Sequence, residues 1–361
     1  LVIVLIMGLV LLLGSTSKQS NEDESNVYTS KARVSGKTQG CIGCHTKQNP
    51  AIVVSWHTSR HAEKGVGCHE CHKANPDDPD ALEHYDDSFI SVIVSPKDCG
   101  TCHATETEQF LNSLHARAGE ILGSLDNYLG DVVEGVGATI SGCQQCHGAK
   151  VQVVDGKLGA ATWPNFGIGR INPDGTTGAC SACHARHDFT RVQARTPEAC
   201  SKCHRGPDHP QKEVYEESEH YIKYVSHLDQ MNLDAPIWIV GIDYTAAPTC
   251  VTCHVGATLN QPRTHNIGLR LSWNNRADIS FKTQRWSEQR TAMKDVCYAC
   301  HNPNYVTNFY TQYDLGIDLY NEKFAKPAKE IMEILEQAQA IDITPFNEDI
   351  EWIYYLLWHC L

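Results

Sequence analysis

Two cysteines separated by two residues, with a histidine directly after the second, recur along this chain at Cys41/Cys44/His45, Cys68/Cys71/His72, Cys99/Cys102/His103 and Cys143/Cys146/His147. The pattern continues at Cys180/Cys183/His184, Cys200/Cys203/His204, Cys250/Cys253/His254 and Cys297/Cys300/His301. This is the attachment signature of c-type haem. Two thiols add to the two vinyl groups of one porphyrin, and the adjacent imidazole reaches the iron as its proximal ligand. Zinc ribbons and disulfides also use paired cysteines, but neither needs a histidine after every second one. With histidine at 19 of 361 positions, chance placement after all eight pairs is on the order of 10⁻¹⁰. The sequence therefore predicts eight covalent haems. Cys360, outside the motifs, reads as a terminal thiol without a partner.

Eleven histidines remain: His57, His61, His69, His84, His115, His187, His209, His220, His227, His265 and His359. Eight six-coordinate irons need eight distal ligands, and seven plus one open iron need seven, so the count allows either. His115 falls on an expected helix that opens with a Thr105-x-x-Glu108 capping box and carries Phe110, Leu111, Leu114, Ala118 and Ile121 at helical spacing. His61, His84, His187, His220, His265 and His359 also lie among aromatic, aliphatic or arginine residues.

Successive motifs start 20 to 50 residues apart without a fixed period. That excludes a tandem repeat and predicts one asymmetric assembly. Helix signals dominate, as in the face Ile331, Ile334, Leu335, Ala338 and Ile341 after Pro327; Asn75 to Pro79 and Asn172 to Gly178 read as turns. The expected fold class is mainly α with little β-structure, its apolar residues wrapped around porphyrin. Leu1 to Leu13 is apolar and precedes Gly14-Ser15-Thr16-Ser17. Residues 1–17 thus predict a secretory signal peptide or N-terminal anchor whose basic start lies upstream, and a periplasmic or equivalent extracytoplasmic location, with membrane anchoring open. Residues 18–40 read as a flexible leader, 41–320 as the octahaem-binding domain and 321–361 as the start of a C-terminal helical region. A net charge of −13 gives no electrostatic reason to bind nucleic acid.

The chain resembles the octahaem hydroxylamine oxidoreductases over residues 38 to 361. The resemblance rests on the eight motifs with their close fifth and sixth pair, on Trp163-Pro-Asn-Phe-Gly-Ile-Gly-Arg-Ile-Asn-Pro-Asp174, on Cys203-His-Arg-Gly-Pro-Asp-His-Pro210 leading to Tyr215-Glu-Glu-Ser-Glu-His220, and on Ala247-Pro-Thr-Cys250. In that family seven haems are bis-histidine conductors and the haem of the fourth motif has an open face. The resemblance thus implies a catalytic haem at Cys143, Cys146 and His147. It implies distal ligands at His61, His84, His115, His187, His220, His265 and His359, and leaves His209 for the active site. It also implies a homotrimer, a small nitrogenous substrate and a cytochrome or quinone-linked redox partner.

Asp208 and His209 lie between Pro207 and Pro210, which stiffen the turn after the sixth motif. An aspartate beside an imidazole orients it and tunes it for proton transfer, and oxidising hydroxylamine releases protons with the electrons. The other reading of the pair is a brace for a haem propionate. Tyr244, before Cys250, is a further catalytic candidate. Family members that oxidise hydroxylamine or hydrazine carry a crosslinking tyrosine well beyond the eighth motif, whereas those without it are thought to reduce nitrite or hydroxylamine. The resemblance implies that the family's chain continues past Leu361. Three functions follow: hydroxylamine or hydrazine oxidation at one open haem, reduction of nitrite or hydroxylamine, and a conduit without catalysis.

Overall fold

The computed structural model describes residues 32–85, 87–121, 142–206, 210–275 and 278–359. The fold is mainly helical. Many helices are short; of the longer ones, Gly36–Gln48 lies near the start of the described residues, and Trp286–Tyr298, Pro303–Tyr320 and Lys326–Gln337 lie toward the C-terminal end. β-Structure among the described residues consists of two-residue antiparallel hairpins, such as Leu82–Glu83 with Phe89–Ile90 and Trp273–Asn274 with Phe281–Lys282, and isolated bridges. No helix among the described residues is long and apolar enough to cross a membrane.

Each motif is built on about one helical turn. Cys68–His72, Cys143–His147 and Cys250–His254 are five-residue helices coextensive with their motifs. In other motifs the histidine N–H closes the turn on the carbonyl of the first cysteine, as in His103 to Cys99 at 2.9 Å and His204 to Cys200 at 3.0 Å. One turn brings positions i, i+3 and i+4 to one side, so both thiols and the imidazole face the same space.

Apolar packing is sparse. One cluster joins Tyr224, Met231, Trp238, Val240, Tyr244, Ala247 and Val296, and a second joins Val34, Ile42, Val53, Trp56 and Ala62. Between them the side chains enclose a connected cavity of about 3840 Å³, lined by cysteines and histidines of the first seven motifs. Interiors are normally packed to crystal-like density, so a cavity of this size is the shape of a large prosthetic assembly rather than of a side-chain core.

The structure refines four local expectations. The end of the stretch read as leader is helical: the helix Gly36–Gln48 is capped by Ser35, and Thr38 is fully buried, with its hydroxyl donating to Glu70 at 2.9 Å. The helix expected to open on a Thr105–Glu108 box instead runs Ala104–Leu111 with His103 at its cap, and the chain then tightens into a 3₁₀ turn, Leu114–Arg117, that presents His115. The helical region expected from residue 321 is continuous with what precedes it, because Pro303–Tyr320 runs through a π-turn, Asn321–Ala325, into Lys326–Gln337. Along that last stretch Ala325 and Met332 face inward, while Ile331 and Ile334 of the expected apolar face point outward. The helical period holds, but the packed stripe is the neighbouring one. Residues 1–31, including the expected signal segment, and Cys360 lie outside the described residues.

Candidate haem sites

Six motif histidines each face one histidine from a distant part of the chain. Ring centroids lie 6.1 Å apart for His45 and His84, 6.3 Å for His72 and His187, 6.2 Å for His103 and His61, 6.4 Å for His184 and His265, 6.0 Å for His204 and His115, and 6.0 Å for His301 and His220. A metal–imidazole bond is about 2 Å. Two rings ligating one iron from opposite sides therefore have centroids separated by roughly this distance, too far for stacking and too close for an intervening side chain. The spacing fits one haem iron per pair.

Tautomers agree with that use. The Nδ1–H of His72 donates to the Ser91 carbonyl at 2.8 Å, and that of His45 to Asn49 Oδ1 at 2.9 Å, which leaves Nε2 with its lone pair toward the paired ring. Burial holds several of these imidazoles neutral. His184 is pushed down to about 4 by burial and then by His265, and burial likewise lowers His61, His187, His220 and His265. Neutral imidazole is the ligating form.

The seventh motif is arranged differently. His254 is deeply buried, and burial pushes it down to about 4, but no second imidazole is placed against it among the described side chains. Trp352, Tyr355 and Leu356 from the helix Asp349–His359 line the same cavity, and His359 lies four residues after Tyr355, on the same helical face. The His359 side chain itself is outside the described residues. So are Asp208 and His209, the candidates for proton transfer at the fourth motif.

The fourth motif has a distinctive seat. The segment 163–174 runs directly over it: Ile168 N–H donates to the Cys146 carbonyl at 2.9 Å and Gly169 N–H to the His147 carbonyl at 3.0 Å. A Cβ on Gly167 would come 1.9 Å from Gly148 N, and one on Gly169 would come 2.3 Å from Gly119 N. Backbone meets backbone there, and only glycine permits it. The recurrence of glycine in Gly167-x-Gly169 is the sequence signal for this contact, and a reading centred on cysteine and histidine passes over it. Such a reading also misses the bracing arginines. Arg270, buried, donates to the Cys253 carbonyl at 2.8 Å and to the Gly256 carbonyl at 2.7 Å, so it closes the end of the seventh motif's helix.

Tyr244 takes a different place from the one expected of a catalytic group. It is 3% exposed, stacks on Trp238 at 4.1 Å, and shares a 2.7 Å hydrogen bond with Thr252 inside the seventh motif. Burial raises its phenol well above the ordinary tyrosine range. It is not among the residues lining the cavity, so it braces the motif from behind.

Neighbouring motifs touch through their cysteines. Cys41 is in hydrogen-bond contact with Cys68, Cys99 with Cys180, Cys146 with Cys203 and Cys200 with Cys250. Cys71 lies within electrostatic range of Cys99, Cys183 of Cys200, and Cys253 of Cys297. These contacts link all eight motifs in one connected series, the fourth through the sixth.

Known proteins carry the same pattern. The family described as seven times multi-haem cytochrome CxxCH matches residues 174–342, and the family of cytochrome c554 and c-prime matches residues 13–73 and 98–162. A probable nitrite reductase–hydroxylamine oxidoreductase fusion protein from Kuenenia stuttgartiensis is 27% identical over 270 residues, 64% of this chain. The chain spans only 27% of that relative's length. Among solved structures, a hypothetical multiheme protein superposes with a TM-score of 0.81 at 26% identity, covering 95% of this chain and 91% of that one. The reducing HAO-like protein complex from Kuenenia stuttgartiensis gives a TM-score of 0.59 at 21% identity over 87% of this chain and 64% of that one, a likeness of fold. With cysteine pairs, facing imidazoles and a cavity that fit the group, the chain is a multihaem c-type cytochrome, a redox protein that carries c-type haems.

Proposed function

We propose that the chain is an octahaem oxidoreductase that oxidises hydroxylamine or hydrazine at the haem of Cys143, Cys146 and His147, and passes the electrons through seven bis-histidine haems. The observation that carries this reading is the seat of the fourth motif, which a glycine-packed segment of its own holds by backbone hydrogen bonds to the Cys146 and His147 carbonyls. His359, on the cavity-facing side of its helix, serves the seventh motif. A conduit needs no seat built from backbone in this way.

When bound, the haem supplies an iron that takes electrons one at a time from a nitrogen compound. The chain's own residues do the rest. Gly167 and Gly169 hold the fourth motif against the segment 163–174, so the position of the His147 imidazole is set by backbone. Lys202 and Arg205 stand near Cys146, and residues 207–209 follow directly in the chain. On this reading His209, with Asp208 beside it in the chain, would take up the protons that substrate oxidation releases. Cys203 of the sixth motif contacts Cys146, so a haem held there would be the neighbour that could take electrons onward.

The curated relative named for both a nitrite reductase and a hydroxylamine oxidoreductase supports the reverse direction as a second reading, reduction of nitrite or hydroxylamine. We further assign a homotrimer, a cytochrome or quinone-linked redox partner and a periplasmic or equivalent compartment. Steady-state turnover of the holoprotein separates the two directions. Reduction of an acceptor by hydroxylamine, with no nitrite consumption from a reduced dye, is expected. Steady nitrite consumption without hydroxylamine oxidation would reverse the assignment.

A further inference from the structure

We propose that Arg170 and Arg186 form a carboxylate-binding site on the cavity wall that holds a haem propionate. Arg170 is 2% exposed, yet every hydrogen-bond partner it has among the described residues is neutral: Asn172 Oδ1 at 2.6 Å, the Asn165 carbonyl at 3.2 Å and the Val94 carbonyl at 3.1 Å. Those bonds use three of the five guanidinium N–H groups and leave one on each terminal nitrogen, the fork that a carboxylate accepts in bidentate fashion. Arg186 stacks over Phe166 at 4.9 Å and also lines the cavity with Arg170. Neither forms an ion pair among the described residues; Asp174 turns its carboxylate to Ser95 and Thr176 instead.

Two cations are therefore held near one another, with Asp174 and Asp80 within electrostatic range of Arg170 but hydrogen-bonded to Ser95, Thr176 and Ser91 and not to either arginine. Burial, and after it the Arg186 charge, pulls Arg170 down to about 10. A buried guanidinium is retained at a large desolvation cost unless a counter-charge completes the site. Each c-type haem brings two carboxylates into this cavity. Arg186 immediately precedes His187, which faces His72, and Arg170 follows Gly169, which is bonded to the His147 carbonyl, so the propionate belongs to the ring of the second or the fourth motif. A soluble oxyanion such as nitrite shares the chemistry, and the test separates the two.

The inference rests on haem attachment and not on the direction of catalysis; haem content of the wild-type protein, measured first, isolates that premise. Spectroelectrochemical titration of holoprotein should show one haem shifted to lower potential in Arg170→Gln, a shift of the same sign in Arg186→Gln, and no change in haem content. Arg170→Lys, which keeps the charge but not the fork, should shift the same haem less, and it carries the test where the glutamine variant fails to mature. Unchanged potentials with weakened nitrite binding would assign the site to a soluble oxyanion and overturn the proposal. Unchanged potentials with unchanged nitrite binding would overturn it as well.

Discussion

His115 faces His204 at 6.0 Å, with the two ring planes inclined by 64°. One comes from a 3₁₀ turn after the third motif and the other from the sixth motif, so neither local sequence nor secondary structure explains their meeting. A shared iron does. His115→Ala should convert one low-spin haem to high spin in the electron paramagnetic resonance spectrum while the haem stays covalently attached, since the thioethers of Cys200 and Cys203 do not depend on it. An unchanged low-spin count would show that His115 is no ligand.

Close backbone contact at the fourth motif makes a second prediction. Gly167→Ala places a methyl 1.9 Å from Gly148 N, and no rotamer relieves a clash with backbone. We expect a loss of more than about 2 kcal/mol in stability, read as a lower thermal midpoint, with perturbation concentrated at the fourth haem. Gly156→Ala is the control for a glycine with open space, because a methyl added there would meet nothing within 4 Å, although its positive φ adds local strain. Equal effects in both would remove the case for a specific contact.

Legibility differs with the range of the interaction. The thiols and the proximal imidazole must fall within one helical turn, so their chemistry is written in five consecutive residues such as Cys143 to His147. That His84 or His265 could serve as a distal ligand is an expectation from histidine count, surroundings and family resemblance, but which motif histidine each faces is not readable, since pairing is set by how distant segments pack. Tyr244 illustrates the opposite failure. Its closeness to Cys250 in sequence suggests chemistry, whereas stacking on Trp238 and the bond to Thr252 turn it away from the cavity. Ile331 and Ile334 show that helical period fixes a stripe but not which stripe is buried when a π-turn precedes the helix.

Near the eighth motif, Arg290 donates to both carboxylate oxygens of Asp314 at 2.6 Å, and Trp273 adds a third bond at 2.8 Å. The Arg290 bonds first of all hold Asp314 down at about 2. Because the folded value lies below the unfolded one, near 4, the stabilisation is complete above about pH 4 and is lost as pH falls through about 2. Asp314→Asn should therefore cost about 1–3 kcal/mol at pH 7 in denaturant unfolding, and progressively less against wild type as pH falls below about 4. A cost that is constant with pH would mean that the charge is not what matters.

His209 and His359 are assigned opposite roles and should respond differently. His209→Ala should slow turnover with all haems and low-spin signals retained, since it moves protons and does not bind iron. His359→Ala should cost one low-spin signal. The reverse pattern would exchange the two assignments and place the open iron at the seventh motif.

Catalysis as proposed requires that one iron, and only one, be open to an external ligand. Electron paramagnetic resonance of the oxidised holoprotein, recorded before and after addition of cyanide or nitric oxide, tests this directly. A single haem signal should respond while seven remain unchanged, and the responding signal should be lost in the His147→Ala variant. A protein in which no haem responds would be a conduit, and the catalytic reading would be wrong.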